Sequence, residues 1–185
     1  PAPGDPTLAV QTIDTVSSAR VDPDQEWGLD HGCWSVIKHL YPKADVPVVQ
    51  MSMDYTLSPQ RHYELARELA PFRNQGVLIV GSGNMVHNLR MVAWDKLNEP
   101  GFGFDWALEA NEKMKQLVLQ HDHKSLCNYG ALGRAFDLAV PTPDHFIPLL
   151  YVLALQAEDE TVSFFNDKAV AGSLTMTGVK IDLQS

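Results

Sequence analysis

Gly76-Val77-Leu78-Ile79-Val80-Gly81 is the stretch whose reading decides the fold. Four consecutive apolar residues, three of them β-branched, stand between two glycines, the pattern of a short buried strand. Upstream, Ser58-Pro59 opens a helix that runs to about Asn74. Ser58 suits the cap, Pro59 suits the first helical position, and Tyr63, Leu65, Ala66, Leu69 and Phe72 supply an apolar face. Before that helix, Val46-Pro47-Val48-Val49-Gln50-Met51-Ser52-Met53 is a second apolar run rich in β-branched residues. Strand, helix, strand predicts a right-handed crossover with parallel pairing, strand 77–80 central in the sheet.

The flanks fit that frame. Leu8–Val16 reads as a helix, with Asp5 as cap and Pro6 at its first position. Further helices are expected over Cys33–Tyr41, Glu109–Gln120, Ala131–Leu138 and Asp144–Gln156, and late strands over Thr161–Phe165 and Ser173–Asp182. The fold class is therefore α/β: a three-layer αβα sandwich with a mixed, partly parallel sheet, in one domain spanning 1–185. With 45% hydrophobic and 20% charged residues, wholesale disorder is excluded. A net charge of −9 with no basic cluster repels phosphate backbones and argues against nucleic acid as a partner. No apolar run approaches the roughly 18 residues that would span a membrane. Cys33 and Cys127 lack metal-knuckle spacing and fit a reducing cytoplasm. Pro1-Ala2-Pro3-Gly4 has neither the basic nor the apolar region of a signal peptide and reads as a loop, as though the chain starts within a protein.

Seven histidines, at 31, 39, 62, 87, 121, 123 and 145, are the abundant chemical asset. No Gly-x-Gly-x-x-Gly, Walker loop, Gly-x-Ser-x-Gly elbow or His-Glu-x-x-His helix occurs, which removes the commonest nucleotide and hydrolase readings. His87 follows strand 77–80 within Gly81-Ser82-Gly83-Asn84-Met85-Val86-His87-Asn88, where open α/β sheets bind ligands. The two glycines permit unusual backbone angles that would gather Asn84, His87 and Asn88. The alternative is that Asn84 caps a helix and His87 is a packed ring. His145, in Pro141-Thr142-Pro143-Asp144-His145-Phe146, stands at the wet end of an apolar helix, as a ligand or as a polar terminus. His31 lies in Trp27-Gly28-Leu29-Asp30-His31-Gly32-Cys33-Trp34, where Asp30 could hold its tautomer or simply cap the helix. His39, His62, His121 and His123 read as structural. The spacing of His121 and His123 directs their rings to different faces of a helix.

These segments, with Pro47-Val48-Val49-Gln50-Met51-Ser52, Pro148-Leu149-Leu150 and Gly172-Ser173-Leu174-Thr175-Met176, resemble in collinear order the class III (LigB-like) extradiol ring-cleavage dioxygenases. The DOPA 4,5-dioxygenase subgroup is the nearest pattern. The resemblance implies oxidative cleavage of a catechol, such as DOPA, with O2 at a non-haem metal, Fe(II) expected and Zn(II) possible in the same site. It implies His145 as a metal ligand and His87 as the catalytic acid/base or a further ligand. His31 is implied as a catalytic or substrate-contacting residue, with Asp30, Asn84 and Asn88 binding substrate. His31, His87 and His145 are expected to share one pocket. The chain resembles the C-terminal two-thirds or so of the family's catalytic domain. The family's N-terminal His-Gly-x-Pro-type turn and Ser-x-His-Trp-type strand end, each bearing a metal-binding histidine, do not occur in it. A metal-free binding or scaffold relative of the Memo type, or an inactive fragment, is the alternative. A zinc hydrolase is disfavoured by the lack of a general-base carboxylate motif. The expected state is a cytoplasmic monomer or small homo-oligomer.

Overall fold

The computed structural model describes residues 2–183. Local signals placed most helices. α1 (Pro6–Thr15) starts on Asp5, whose side chain accepts the Leu8 N–H at 2.9 Å. α2 (His31–Leu40) begins two residues earlier than expected, because Asp30 takes the cap and accepts the Cys33 N–H at 2.8 Å. Ser58 caps α3 (Pro59–Glu68) as expected. That helix does not run unbroken to Asn74: Pro71 has no N–H to offer Arg67, so the chain breaks at Leu69 and resumes as α4 (Ala70–Arg73). Gly76, at φ +78°, then ends the helical stretch in the left-handed region.

The central-strand expectation is corrected. Residues 77–80 are extended, but they join no ladder among the described residues. Val77 and Ile79 pack inward against Leu65, Leu69, Phe72 and Leu155, while Leu78 is 65% and Val80 44% exposed. Residues 47–53 are extended and unpaired in the same way. The backbone N–H bonds of these two stretches go to loop and helix carbonyls, Val48 to Pro3 and Val77 to Phe72. The alternation of a strand is there, but its hydrogen-bonding neighbour is not.

Downstream lie α5 (Asp105–Leu119), α6 (His123–Cys127), α7 (Arg134–Ala139) and α8 (Ile147–Ala154). Met114, Leu117 and Val118 of α5, Phe136 and Ala139 of α7, and Leu150 and Leu153 of α8 build the larger core with Met85, Val86 and Phe146. The strands are β1 (Glu160–Phe165), β2 (Ala169–Val170), β3 (Leu174–Thr175) and β4 (Gly178–Leu183). β1 pairs antiparallel with β4, from Glu160↔Leu183 to Phe165↔Gly178, and encloses the short antiparallel pair β2–β3. The single late strand expected over 173–182 is thus split. At the break, the Thr177 hydroxyl sits 2.8 Å from Asp167 and 2.9 Å from Asn111 of α5, held by side chains instead of a ladder. Among the described residues the α/β class holds, with two antiparallel pairs as its hydrogen-bonded sheets.

One ion pair joins the two cores. Arg73 at the end of α4 donates to both carboxylate oxygens of Glu160 and to the Leu155 carbonyl past the end of α8. Glu160, 4% exposed at its side chain, also accepts the Ala157 N–H at 2.8 Å. Removing one partner strands a buried charge, which typically costs about 3–5 kcal/mol. Arg73→Met should therefore lower urea-unfolding stability by that order, and Arg73→Met with Glu160→Gln should recover much of it. An unchanged midpoint in the single variant would show that the pair is dispensable.

Candidate functional site

The site is built by a backbone approach. A Cβ on Gly83 would run into the His145 carbonyl oxygen, and one on Gly81 into that of Pro148. Neither glycine has a left-handed φ, so they are needed for closeness, not for the unusual backbone angles expected from the sequence. The contact is locked by the Asn84 N–H, which donates to the His145 carbonyl at 2.8 Å. Three residues on, the His87 N–H donates to the Ala139 carbonyl at the end of α7 (2.9 Å), and His87 bridges Leu174 of β3 on its other side. The outcome is that the His87 and His145 rings stack, centroids 3.5 Å apart and planes 16° from parallel. Asp144 Oδ2 lies 3.3 Å from His145 Nε2.

Both rings are half-buried. Burial, reinforced by the charge His145 would carry, holds His87 below the ordinary histidine value, while Asp144 pulls the other way. His87 is therefore kept as a neutral imidazole, able to accept a proton.

The remaining candidates fall out unevenly. His31 is the exposed first residue of α2. The next residue, Gly32, accepts the Ser82 hydroxyl at 2.7 Å, which ties this helix start to the 81–84 loop. Asp30 does not hold a histidine tautomer: its carboxylate caps α2 and meets the Gln50 amide at 3.2 Å. Asn84 and Asn88 each commit a side-chain N–H to a backbone carbonyl. Asn84 Nδ2 donates to the Thr175 carbonyl at 2.7 Å, and Asn88, 5% exposed, donates to the Leu138 carbonyl at 2.8 Å and accepts the Arg90 N–H.

His62 is fully buried, and both ring nitrogens are bonded, Nδ1 to the Tyr151 hydroxyl at 3.0 Å and Nε2 to the Asp54 carbonyl at 3.1 Å. A carbonyl only accepts, so Nε2 carries the proton and Tyr151 donates to Nδ1. His121 and His123 correct the sequence reading. His121 takes a left-handed φ of 55° before α6, so the two rings lie nearly parallel at 6.0 Å instead of diverging. His123 is buried, with Nδ1 2.9 Å from the Tyr63 hydroxyl. Both line a shallow cavity of about 420 Å³ with Gln60, Tyr63, Lys124 and Cys127. Burial pushes the Cys127 thiol up to about 11, so it is no nucleophile.

Imidazoles with a neighbouring carboxylate are donors that iron and zinc accept. In the face-to-face stack, however, the in-plane lone pairs run side by side instead of converging on one point. No group of three His, Cys, Asp or Glu among the described residues could hold an ion. Among the described residues the pair does not make a complete metal centre.

Comparison with known proteins gives the context. Residues 1–179 match the family model of the catalytic LigB subunit of aromatic ring-opening dioxygenase. A 4,5-DOPA dioxygenase extradiol of Escherichia coli K12 is 40% identical over 98% of this chain and 67% of its own length. One from Beta vulgaris is 29% identical over 97% of this chain and 66% of its own, and one from Portulaca grandiflora 33% identical over 80% and 55%. The chain thus spans two-thirds or less of the length of such relatives. A crystal structure of an uncharacterized Escherichia coli K12 protein matches 97% of this chain and 73% of its own, with a TM-score of 0.88 and 37% identity.

Two predictions follow from this geometry. Gly83→Ala should destabilise by about 1–3 kcal/mol, an overpacking cost, whereas Gly130→Ala, with nothing within 4 Å of its new Cβ, should be near neutral in thermal unfolding. Equal melting points would refute the close approach. Second, burial holds His62 and His123 below the ordinary value, so the folded chain resists protonating them while the unfolded chain takes up protons from about pH 6.5 downward. The unfolded state then binds more protons, and stability should fall as pH drops from 7.5 to 5.5. Midpoints that hold or rise on that acidification would contradict it.

Proposed function

The chain belongs to the LigB family of aromatic ring-opening dioxygenases, and on that premise we propose that its activity is extradiol cleavage of a catechol, such as DOPA, by O2. The observation that carries the reading is the His87–His145 stack, seated by the Gly81–Asn84 loop against the start of α8. Its support is a family match over residues 1–179 and relatives called 4,5-DOPA dioxygenase extradiol. In this reading His87, neutral by burial, takes a proton from a substrate hydroxyl and returns it during ring opening. His145, oriented by Asp144, is the imidazole for the metal, with Fe(II) proposed and Zn(II) the alternative occupant. The remaining donors are not among the described residues. His31, at the loop-tethered start of α2, contacts the substrate. A cytoplasmic location accords with two free cysteines, and a monomer or small homo-oligomer is proposed. No helix among the described residues is long and apolar enough to cross a membrane.

The test is anaerobic loading with Fe(II), followed by DOPA and O2, on this chain and on a form extended at its N-terminus to the length of the relatives. The extended form should consume O2 and release a ring-opened semialdehyde, and the 185-residue chain should show little turnover. In the extended form, His145→Ala should lose metal and turnover together. His87→Ala should keep metal and lose roughly 10² to 10⁴ in rate, the usual worth of a positioned acid/base. Turnover that survives His145→Ala would overturn the ligand assignment. Catechol binding without O2 uptake would instead place the protein with metal-free binding relatives.

A further inference from the structure

Asn88 and Ser173 are buried polar side chains that no step of the proposed reaction uses, and they meet next to His87. Ser173 is fully buried, and its hydroxyl donates to the Asn88 carbonyl at 2.8 Å. In return, the Asn88 N–H donates to the Ser173 carbonyl at 3.1 Å. The Asn88 side chain reaches the other way, its amide donating to the Leu138 carbonyl at 2.8 Å while its oxygen accepts the Arg90 N–H at 3.2 Å. One residue earlier, the His87 N–H is fixed to Ala139. One residue earlier still, Val86 donates to the Thr175 hydroxyl and accepts the Thr175 N–H. The His87 backbone is therefore gripped on one side by the Ser173–Thr175 strand and on the other by the end of α7.

The ring itself is not held in that way: its recorded ring contact is the stack on His145. The position of its Cα therefore bears on whether the stack forms. We propose that Asn88 and Ser173 are positioning residues of His87, setting the placement that lets its ring face His145. The proposal rests on the functional reading only in calling His87 an acid/base. The geometry it tests exists without metal or substrate.

The experiment is histidine-ring NMR on the metal-free 185-residue chain, comparing Asn88→Ala, Asn88→Asp and Ser173→Ala with the parent. In the parent, ring protons of His87 and His145 should show mutual cross-relaxation and ring-current shifts from the stack. Both Ala variants should weaken that cross-relaxation and move both sets of signals, while His62 and His123, bonded elsewhere, stay in place. Asn88→Asp keeps the acceptor for Arg90 and loses the donor to Leu138, and it should show part of the change. If Asn88→Ala does not fold, judged by collapse of the His62 and His123 signals, Ser173→Ala decides, since it deletes one hydroxyl. Unmoved His87 and His145 signals in folded Ser173→Ala and Asn88→Asp would overturn the proposal, whatever the activity assay gives. Movement of the signals, together with no O2 uptake by the N-terminally extended form given Fe(II) and DOPA, would uphold the clamp and sink the functional reading.

Discussion

The His145 carbonyl occupies the place where a side chain on residue 83 would be, and the rest of the site depends on that contact. Backbone touching backbone leaves no rotamer to adjust, so the separation between the 81–84 loop and the start of α8 is fixed. The Asn84 N–H bond to the same carbonyl removes the remaining freedom to slide. Once His145 is fixed relative to residue 84, three more residues of chain bring His87 over it, and the stack follows. Gly81 repeats the contact one turn along, against Pro148. The glycines are thus a packing device here, not the source of unusual backbone angles that the sequence suggested.

What the sequence made legible was local. Asp5, Asp30 and Ser58 cap helices because a side-chain oxygen can reach an N–H three residues on, a relation contained within four residues. Gly76 ends its helix for an equally local reason, the φ it adopts. The grouping of His87 with His145 was legible only through the family resemblance, since nothing in the spacing of two distant segments requires that they touch. The ladder expected at 77–80 failed for the opposite reason. An apolar, β-branched run reports a preference for extended backbone, but a strand also needs a partner, which is non-local. The run is extended, alternates in burial and remains unpaired among the described residues. His121 escaped because a left-handed non-glycine residue leaves no mark in helical spacing.

Polar side chains near the histidines also serve the backbone. Asn84, Asn88 and Asp30 sit in site-like company, and in sequence an amide or carboxylate beside a histidine suggests substrate. In the fold each is drawn to backbone groups that would otherwise be unpaired, because a buried N–H or carbonyl left alone costs about 1–3 kcal/mol. The same demand explains Ser173 and Thr175, two buried hydroxyls on the strand that faces residues 86–88. The shell around the two histidines is made of residues satisfying the backbone, and that is how it becomes rigid.

His62 and the stacked pair differ in the fate of their ring nitrogens. His62 has both nitrogens bonded, to a hydroxyl and a carbonyl, in a fully buried place. Burial holds its partner Tyr151 up at about 12, so the pair stays neutral and has no proton to exchange across the ordinary pH range. His123 has only Nδ1 bonded, to the Tyr63 hydroxyl, and its buried Nε2 meets no partner among the described residues. The His87 and His145 rings touch each other and Asp144, and remain half-exposed. Burial first, and then the charge that His145 would carry across the stack, hold His87 below the ordinary histidine value. The stacked rings are half-exposed and seated by backbone contacts. His62, equally buried in the chemistry of hydrogen bonds, has the properties of a core residue. Residue type and spacing do not separate the two; satisfaction of the ring nitrogens does.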